Sequence, residues 1–531
     1  MSRLSFRRLF FLATVLVGSI YLLKLHGSLE SERLNQLMDN IPRVELPGWF
    51  KPPNDGFRNS EMTSTNHRRQ LAIRDAMKHA WGGYRRFAFG EDELQPLTRS
   101  YNRRWGNWSI TLVDALDTLY IMGLEDEYTE AKARVAKTDF TTTLPGYEVP
   151  VFEMTIRALG GLLGAYELEN DPVLLRKAME VGESLAIAFD TPTGLPTPRI
   201  DLQKRIPMQS SSLCIAEGGT LQLEFKKLSQ LTGNDTYRKL VERASDVLEE
   251  APRKYRGLYP TFIDIDTGKY DNNSALSVGA MADSFYEYQL KQYILHNYKE
   301  SKYKDQYIVS SMAVKERLVA RSPKSNRAFL GKWDYNDSFF FSEMEHLACF
   351  YPGLLALGAH LLDRPRDLVL AEEIAYTCYL SYSMTPTGLG PEVFRFSSLN
   401  RPQNRYIDRP PPSVQEPPES SEMQGSDGRY LLRPETIESI FVLYRVTRDP
   451  KYQEWGWNIF LAIEKYTKVE YGYAAYSDVY STEGDNLVDS MESFFLAETL
   501  KYLYLLFSPT DLISLDEYVF NTEAHPFKII K

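Results

Sequence analysis

Apolar residues recur at spacings of three and four along most of the chain from Leu71 to Leu506, which is the pattern of helices that bury one face. The helical runs are joined in pairs by short turns rich in Gly, Pro and Asp, for example at residues 231–235. Segments that alternate as strands do are short, the clearest being residues 471–476 and 517–530. Helical hairpins repeated over so long a stretch predict an all-α domain, either an open α-solenoid or a closed α/α barrel.

The N-terminal segment has a different character. Three arginines within the first eight residues precede an apolar run from Leu9 to Leu23. A run of this length overlaps both a short membrane span and the hydrophobic region of a signal peptide. Because no small-x-small cleavage site follows, we interpret residues 1–27 as a cytoplasmic tail and an uncleaved signal anchor, with a cleaved signal peptide as the alternative. Both interpretations send the rest of the chain into the secretory lumen.

Residues 28–68 are polar, lack sustained periodicity and are predicted to form a lumenal stem, which leaves residues 69–531 as the folded domain. The predicted location is the membrane of the endoplasmic reticulum or the Golgi, in a single-pass type II orientation. A proline-rich insert, residues 400–429, is predicted to be a solvated loop or hairpin rather than a loop that contacts a ligand. Four N-glycosylation sequons give weak support to a lumenal address: Asn107, Asn234, Asn272 and Asn336.

Composition excludes several classes of function. With 61 basic and 71 acidic residues the net charge is −10, which argues against nucleic acid as a partner, because phosphate binding needs a basic face. Three cysteines cannot make a disulfide scaffold. Seven histidines without an HExxH or CxxC pattern argue against zinc catalysis.

Acidic residues inside the apolar helical runs are the most informative anomaly. Spacings of three or four put two side chains on one helical face. A carboxylate buried alone is costly, so each must form an ion pair, bind a cation or line a wet cavity. The sets at these spacings are Glu153 with Arg157, Asp114 with Asp117, Asp283 with Glu287, and Glu435 with Glu438; two further sets, Glu217 with Glu224 and Glu492 with Glu498, flank apolar stretches.

Two interpretations of these acidic sets are open. Separate buried ion pairs, such as Glu153–Arg157 or Glu435–Arg433, explain any one set. Six sets spread over most of the hairpins favour instead one acidic pocket at a common axis. Such a pocket suits a carbohydrate, and paired carboxylates perform glycoside hydrolysis. The aromatic residues expected around it are Trp105, Phe285, Tyr286 and Phe494.

The C-terminal residues 520–526 are rich in oxygen donors. Asn, Thr, Glu and backbone carbonyl oxygens suit a hard cation such as Ca²⁺, although no EF-hand loop is present. Taken alone, a stretch of this kind is most often a turn.

Eight ordered motifs resemble the class I α-1,2-mannosidases of glycoside hydrolase family 47, over residues 70–531. The motifs are HAWGGY (79–84), TLVDALDT (111–118), FEMTIR (152–157), LQLEF (221–225), ADSFYEY (282–288), LRPET (432–436), MESFFLAE (491–498) and NTEAHP (521–526). The resemblance implies an (α/α)₇ barrel plugged by a C-terminal β-hairpin. It also implies inverting hydrolysis of terminal α-1,2-linked mannose on high-mannose N-glycans, with a bound Ca²⁺.

The same resemblance implies residue roles. Glu153 matches the general acid, acting through a water, whereas Asp283 and Glu435 match the candidates for the base, with Glu435 favoured. Thr522 matches the Ca²⁺ ligand, through its backbone and side-chain oxygens. Residues expected to line the sugar subsites are Arg157, His346, Arg433, Glu438, Phe494, Glu498 and Glu523. Cys349 and Cys378 match the family's disulfide, which leaves Cys214 as an odd, buried and inert thiol.

Met281 is the main departure from the family pattern. Enzymes that remove a single mannose carry arginine at this position, two residues before the aspartate, and Golgi-type enzymes carry leucine. Methionine lacks the donors of arginine, so we expect several linkages to be cleaved. The alternative is a lectin-like or degradation-tagging relative with weak or single-linkage activity. The three carboxylates and Thr522 favour an enzyme, which we expect to be a monomer acting on glycoproteins and held at the membrane by its anchor.

Overall fold

The structure is a computed structural model that describes residues 60–335, 339–397 and 422–531, with side chains from residue 64 onward. The predicted anchor, most of the predicted stem, most of the proline-rich insert and Asn336 lie outside the described residues. Within the described part of the chain, no helix is both long and apolar enough to cross a membrane. Contacts divide the chain into residues 1–68 and residues 69–531, and the second unit is described below.

The helices are paired along the chain, and the outer member of each pair shows why it forms. In Asp235–Glu250 the buried residues Tyr237, Val241, Ala244 and Leu248 follow the helical spacing, and the Asn234 side chain accepts a hydrogen bond from Thr236 N at the N-terminus. The α-helices are Ser60–Phe87, Ile110–Asp114, Leu116–Ile121, Glu125–Val135, Val151–Met154, Gly160–Glu169, Pro172–Leu185, Ile215–Gly219, Gln222–Thr232, Asp235–Glu250, Asp283–Leu295, Ser301–Arg317, Tyr351–Leu361, Pro365–Ser383, Glu435–Thr447, Lys451–Tyr466 and Leu500–Leu506.

An inner set of helices packs in a cyclic order. Each member contacts the next, and the last returns to Leu116–Ile121 through the turn Phe495–Thr499. The order is Leu116–Ile121, Gly160–Glu169, Gln222–Thr232, Asp283–Leu295, Tyr351–Leu361, Glu435–Thr447 and Leu500–Leu506. The first long helix joins the last, because Gln70 Nε2 donates to Ser508 Oγ at 2.8 Å. Closed packing of helical hairpins supports the α/α-barrel alternative over an open solenoid.

Several predicted helices are interrupted or start elsewhere. Ser60–Phe87 begins inside the predicted stem, where its polar turns carry no apolar face to reveal them. Apolar residues recur at helical spacing from about residue 277, but the helix begins only at Asp283. Glu345 binds the segment before this helix: its Oε2 accepts from Ala280 N at 2.6 Å, and a Cβ on Gly279 would lie 2.2 Å from that oxygen. Irregular turns lie at three further places in the stretch of helical periodicity: a π turn at Thr155–Leu159, a 3₁₀ turn at His346–Phe350 and a π turn at Phe495–Thr499.

Short antiparallel strands connect the helices, most of them not predicted. They are Glu93–Gln95, Ser100–Asn102, Val149–Pro150, Arg199–Asp201, Ile206–Pro207, Ser212–Cys214, Phe262–Asp264, Ala275–Leu276, Val319–Arg321, Ala328–Leu330, Lys332–Asp334, Phe340–Phe341, Glu343–Glu345, Val393–Phe396, Met423–Asp427, Lys468–Val469, Gly472–Tyr473, Ala475–Tyr476, Leu487–Val488, Tyr518–Phe520 and Pro526–Lys528. Strands of two or three residues carry too little alternation to be seen in sequence. Met423–Asp427, at the end of the proline-rich insert, pairs with Val393–Phe396.

Both stretches predicted to alternate, as strands do, contain strands: residues 471–476 hold Gly472–Tyr473 and Ala475–Tyr476, and the C-terminal stretch forms a hairpin. Tyr518–Phe520 pairs with Pro526–Lys528, Phe520 facing Pro526, and the turn between them holds residues 521–525. The hairpin contacts two inner helices, Gly160–Glu169 and Asp283–Leu295. It therefore presents its turn to the interior of the helical ring.

The implied disulfide joins Cys349 to Cys378 in the structure, and Cys214 is a buried free thiol. The bond links the 3₁₀ turn His346–Phe350 to the outer helix Pro365–Ser383. It thereby ties the segment that carries His346 to the outer layer.

Candidate active site

A cavity of about 410 Å³ opens among the inner helices, and acidic side chains dominate its polar lining. The acids come from most of the hairpins, so the pocket inferred from the acidic sets is present. They are Glu153, Glu217, Asp283, Glu287, Glu435, Glu438, Glu498 and Glu523. Further lining residues include Arg157, Arg433, Phe494, Met281, Thr522 and Cys214.

Some predicted residues lie elsewhere. Glu224 is buried against Tyr288 and Asn521, and Glu492 pairs with Arg104. Phe285 and Tyr286 pack against Tyr259 instead of facing a ligand. Asp114, Asp117, Trp105 and His346 are likewise absent from the cavity lining. The position of an acid in an apolar run therefore did not distinguish acids that line the cavity from acids that form buried contacts elsewhere.

Glu153 and Arg157 form the ion pair that the sequence allowed as an alternative. Arg157 Nε donates to Glu153 Oε2 at 2.8 Å across the π turn. The guanidinium also pairs with Glu523 and donates to Ser493 Oγ at 3.2 Å, and it lies over the rings of Phe494 and Trp105. Both partners of this ion pair line the cavity, so the two interpretations of the acidic sets apply together to Glu153 and Arg157.

Glu435 is held by a histidine behind it. His346 Nδ1 lies 2.6 Å from Glu435 Oε2, and His346 Nε2 lies 2.5 Å from the Tyr382 hydroxyl, with the imidazole 1% exposed. Burial raises the pKa of Glu435, but the hydrogen bond and charge of His346 and the charge of Arg433 outweigh it and bring that pKa below its ordinary value. Glu435 is therefore an ionised carboxylate at neutral pH.

Arg433 is not the dedicated partner of Glu435 that the sequence suggested. Its Nε lies 2.7 and 2.8 Å from the two oxygens of Glu392, and its distance to Glu435 is 4.0 Å. Both Glu392 oxygens accept from the one Nε, so Glu392 holds the Arg433 side chain at the cavity wall beside Glu435.

Asp283 differs from Glu435 in its electrostatics. Burial raises the pKa of Asp283 to about 7, against the hydrogen bond from Ser284 N at 2.9 Å, and Glu287 and Glu435 add to the rise. Two neighbouring carboxyl groups whose pKa values are pushed apart are a common arrangement in acid–base enzymes.

One group of buried residues, called the acidic floor below, has more acidic than basic side chains: Glu287, Glu438, Glu498 and Lys291. Lys291 pairs with Glu287 and lies 3.8 Å from Glu438, whose pKa is raised by burial although Lys291 lowers it. Burial and the charge of Glu523 also raise the pKa of Glu498. Surplus buried carboxylates of this kind would be stabilised by a bound cation.

Thr522 is the candidate for holding such a cation. It lies in the C-terminal turn and lines the cavity, with its backbone N–H donating to the Tyr288 hydroxyl at 3.3 Å. Among the described residues, no three His, Cys, Asp or Glu side chains are grouped as a metal site. A hydroxyl and a carbonyl above an acidic floor fit a hard cation that keeps much of its water, and do not fit zinc.

Acidic side chains on several sides of one cavity fit a glycoside hydrolase, since these enzymes cleave with a pair of carboxyl groups. The sequence pattern of glycosyl hydrolase family 47 matches residues 76–529. The chain is 40% identical to the endoplasmic reticulum mannosyl-oligosaccharide 1,2-alpha-mannosidase of Homo sapiens, over 92% of this chain and 67% of that protein. It is 39% identical to mannosyl-oligosaccharide 1,2-alpha-mannosidase MNS1 of Arabidopsis thaliana, over 94% and 85% of the two chains.

The solved structure of the alpha-1,2-mannosidase from Trichoderma reesei superposes with a TM-score of 0.81 at 33% identity, over 87% of this chain and 99% of that one. The match of the family over most of the chain and these relatives agree. The chain belongs to glycosyl hydrolase family 47.

Three lining residues received no role from the sequence. Glu217 and Glu287 were noted as members of acidic sets, and their helical spacing was the only signal. Cys214 was expected to be buried and inert; it is 2% exposed and burial raises the pKa of its thiol, yet it lines the cavity. A cysteine that ends a two-to-three-residue strand gives no sequence signal of that position.

Proposed function

We propose that this enzyme removes terminal α-1,2-linked mannose from high-mannose N-glycans by inverting, Ca²⁺-dependent hydrolysis. The observation that carries the proposal is the convergence of Glu153, Asp283, Glu435 and Thr522 on one cavity. The names of the relatives, all 1,2-alpha-mannosidases, support the substrate class. The cyclic helix packing supports an (α/α)₇ barrel with the C-terminal hairpin as its plug.

The division of labour follows from the two kinds of carboxyl. Glu435, kept ionised by His346 and Arg433, acts as the base that activates water. Glu153 supplies the proton to the leaving oxygen, through a water. Asp283 shares the base side and positions the attacking water by hydrogen bonding. Inversion requires the two carboxyl groups to stand apart with room for a water, and Glu153 and Glu435 line the cavity from different helices.

Thr522 would hold the cation through its hydroxyl and carbonyl oxygens, with the acidic floor compensating its charge. A bound Ca²⁺ supplies electrophilic binding of sugar hydroxyls and helps to orient the ring. The surrounding sugar subsites are formed by Arg157, Arg433, Phe494 and the buried acids. His346 supports the site indirectly, through its hydrogen bond to Glu435.

Met281 supports cleavage of several linkages. It is 53% exposed at the cavity, with a left-handed backbone (φ 70°), and offers apolar contact instead of hydrogen-bond donors. We place the enzyme in the early secretory pathway as a single-pass type II protein with a lumenal catalytic domain, on the strength of the basic and apolar N-terminus. Its partners are glycoproteins and the membrane.

Mannose release from a nine-mannose glycan tests the proposal. We expect free mannose whose first-formed anomer, seen by proton NMR, is β, since inversion of an α-linkage yields β. Excess chelator should abolish release, and added Ca²⁺ should restore it where Mg²⁺ does not. Full activity in chelator, or an α product, would contradict the proposal.

A further inference from the structure

The turn at residues 521–525 is held from below by a buried cluster of charges. Lys501 Nζ donates to the Ala524 carbonyl at 2.7 Å and lies 2.8 Å from Asp117 Oδ1, and both of these side chains are fully buried. His525, at the end of the turn, reaches Asp117 Oδ2 at 2.8 Å and Asp114 Oδ1 at 3.1 Å. None of the four charged residues, which are Lys501, Asp117, His525 and Asp114, lines the cavity.

The turn is also fixed by its own first residue. Asn521 Oδ1 accepts from Glu523 N at 3.0 Å and from His525 N at 2.8 Å. Asn521 Nδ2 donates to the Ile156 carbonyl at 2.9 Å and to Glu224 at 2.7 Å. The two residues between these anchors are Thr522 and Glu523, both of which face the cavity.

Glycines of an inner helix let the turn come this close. A Cβ at Gly160 would lie 2.6 Å from Asn521 Nδ2, and a Cβ at Gly164 would lie 3.0 Å from Asp117 Oδ2 and 3.1 Å from His525 Cβ. Larger residues would push the turn away from its buried partners. The close approach is thus encoded on both sides of the contact.

Lys227, on the inner helix Gln222–Thr232, offers a comparison because it contacts the same hairpin. It is also a buried lysine: its Nζ donates to the Lys528 carbonyl at 2.6 Å and lies 3.6 Å from Glu167. Both lysines therefore hold a hairpin carbonyl beside a buried acid. They differ in place, because Lys501 binds the turn that carries Thr522, whereas Lys227 binds the far strand.

We propose that Lys501 is a positioning residue for the proposed cation site. With Asp117 and His525 it holds the turn at residues 521–525 and so sets the orientation of Thr522. The inference rests on the proposed role of Thr522. Side chains that hold a metal ligand in place commonly change metal affinity by about 10- to 100-fold when they are removed. Lys227 should have no such effect, although its loss should cost comparable stability.

The experiment compares Lys501→Met with Lys227→Met by calorimetric titration of CaCl₂ into chelator-stripped protein, with thermal unfolding of the metal-free proteins alongside. We expect both variants to unfold at lower temperature than the wild type. We expect Lys501→Met alone to weaken the Ca²⁺ Kd by about tenfold or more. Should Lys501→Met fail to fold, Lys501→Met/Asp117→Asn replaces it, since it also removes the buried negative charge that Lys501 balances.

The outcomes separate the two proposals. Wild-type and Lys501→Met proteins with the same Ca²⁺ Kd would overturn the positioning role and leave the proposed metal intact. An equal weakening in Lys501→Met and Lys227→Met would also overturn it, because the effect would then follow stability. A wild-type protein that binds no Ca²⁺ would overturn the proposed metal and the positioning role together.

Discussion

His346 Nδ1 and Glu435 Oε2 lie 2.6 Å apart, the histidine buried and the glutamate at the cavity wall. The histidine cannot reach a ligand in the cavity except through this carboxylate. It controls the protonation of the proposed base, since its hydrogen bond and charge hold the pKa of Glu435 down.

Replacing His346 should therefore change the pH dependence of catalysis. His346→Ala removes a hydrogen bond to a charged group, worth about 1.5–3 kcal/mol, and should raise the pKa of Glu435. Because the base must be ionised, the acidic limb of the kcat/KM profile should move to higher pH. A profile that falls uniformly at every pH would show that His346 acts only by supporting the fold.

The two proposed catalytic glutamates should be separable from the others by charge-neutral substitution. Glu153→Gln and Glu435→Gln should each lower kcat by about 10²- to 10⁴-fold while the glycan still binds, because each removes a proton-transfer group. Glu492→Gln is the control, since Glu492 shares the sequence pattern but pairs with Arg104 outside the cavity lining. Near wild-type turnover by Glu153→Gln would refute its role as the acid.

Asp283 should make the metal-free enzyme less stable as the pH rises. Its pKa is about 7 in the folded state and about 3.9 when unfolded, so its contribution is complete below pH 3.9 and is lost as the pH rises through 7. Asp283→Asn removes that loss, and should stabilise the protein by a few kcal/mol at pH 8 relative to pH 4, at about 1.4 kcal/mol per pKa unit.

Thermal unfolding of Asp283→Asn and wild-type protein in chelator at the two pH values measures the difference. Activity should be lost in the variant at both. An equal change in Tm at pH 4 and pH 8 would contradict the ionisation behaviour assigned to Asp283.

Met281→Arg should narrow the product range. An arginine at the cavity mouth gains multi-donor contacts to one glycan branch, and discrimination is a difference between transition-state affinities. In a time course on the nine-mannose glycan, the wild type should proceed to about five mannoses, whereas the variant should accumulate earlier products. Met312→Arg is the control, because Met312 is an exposed methionine away from the cavity lining. A stable eight-mannose plateau in the wild type would refute the premise.

Helical periodicity predicted the fold class, and acids within apolar runs predicted an acidic cavity. The failures have local physical causes. The segment before the helix at Asp283 is bound by Glu345, which lies in a distant strand and accepts a hydrogen bond from Ala280 N. No property of residues 277–282 themselves reveals that contact.

Periodicity also could not predict which acids line the cavity and which form buried ion pairs. Asp117 and Asp283 both lie in apolar helices, but Asp117 is neutralised by Lys501 and His525, some 400 residues away in sequence. Which acids remain available for a ligand is decided by such long-range partners. The family resemblance supplied the roles that spacing alone left open.

The hydrogen bond between Gln70 and Ser508 spans 438 residues. Since a ribosome delivers the chain from its N-terminus, the first inner and outer helices emerge long before the helix that completes their packing. Closure of the ring through this contact therefore follows synthesis of nearly the whole chain. Until then the acidic interior stands open to water, and we expect nascent chains that stop before Ser508 to depend on chaperones for their solubility.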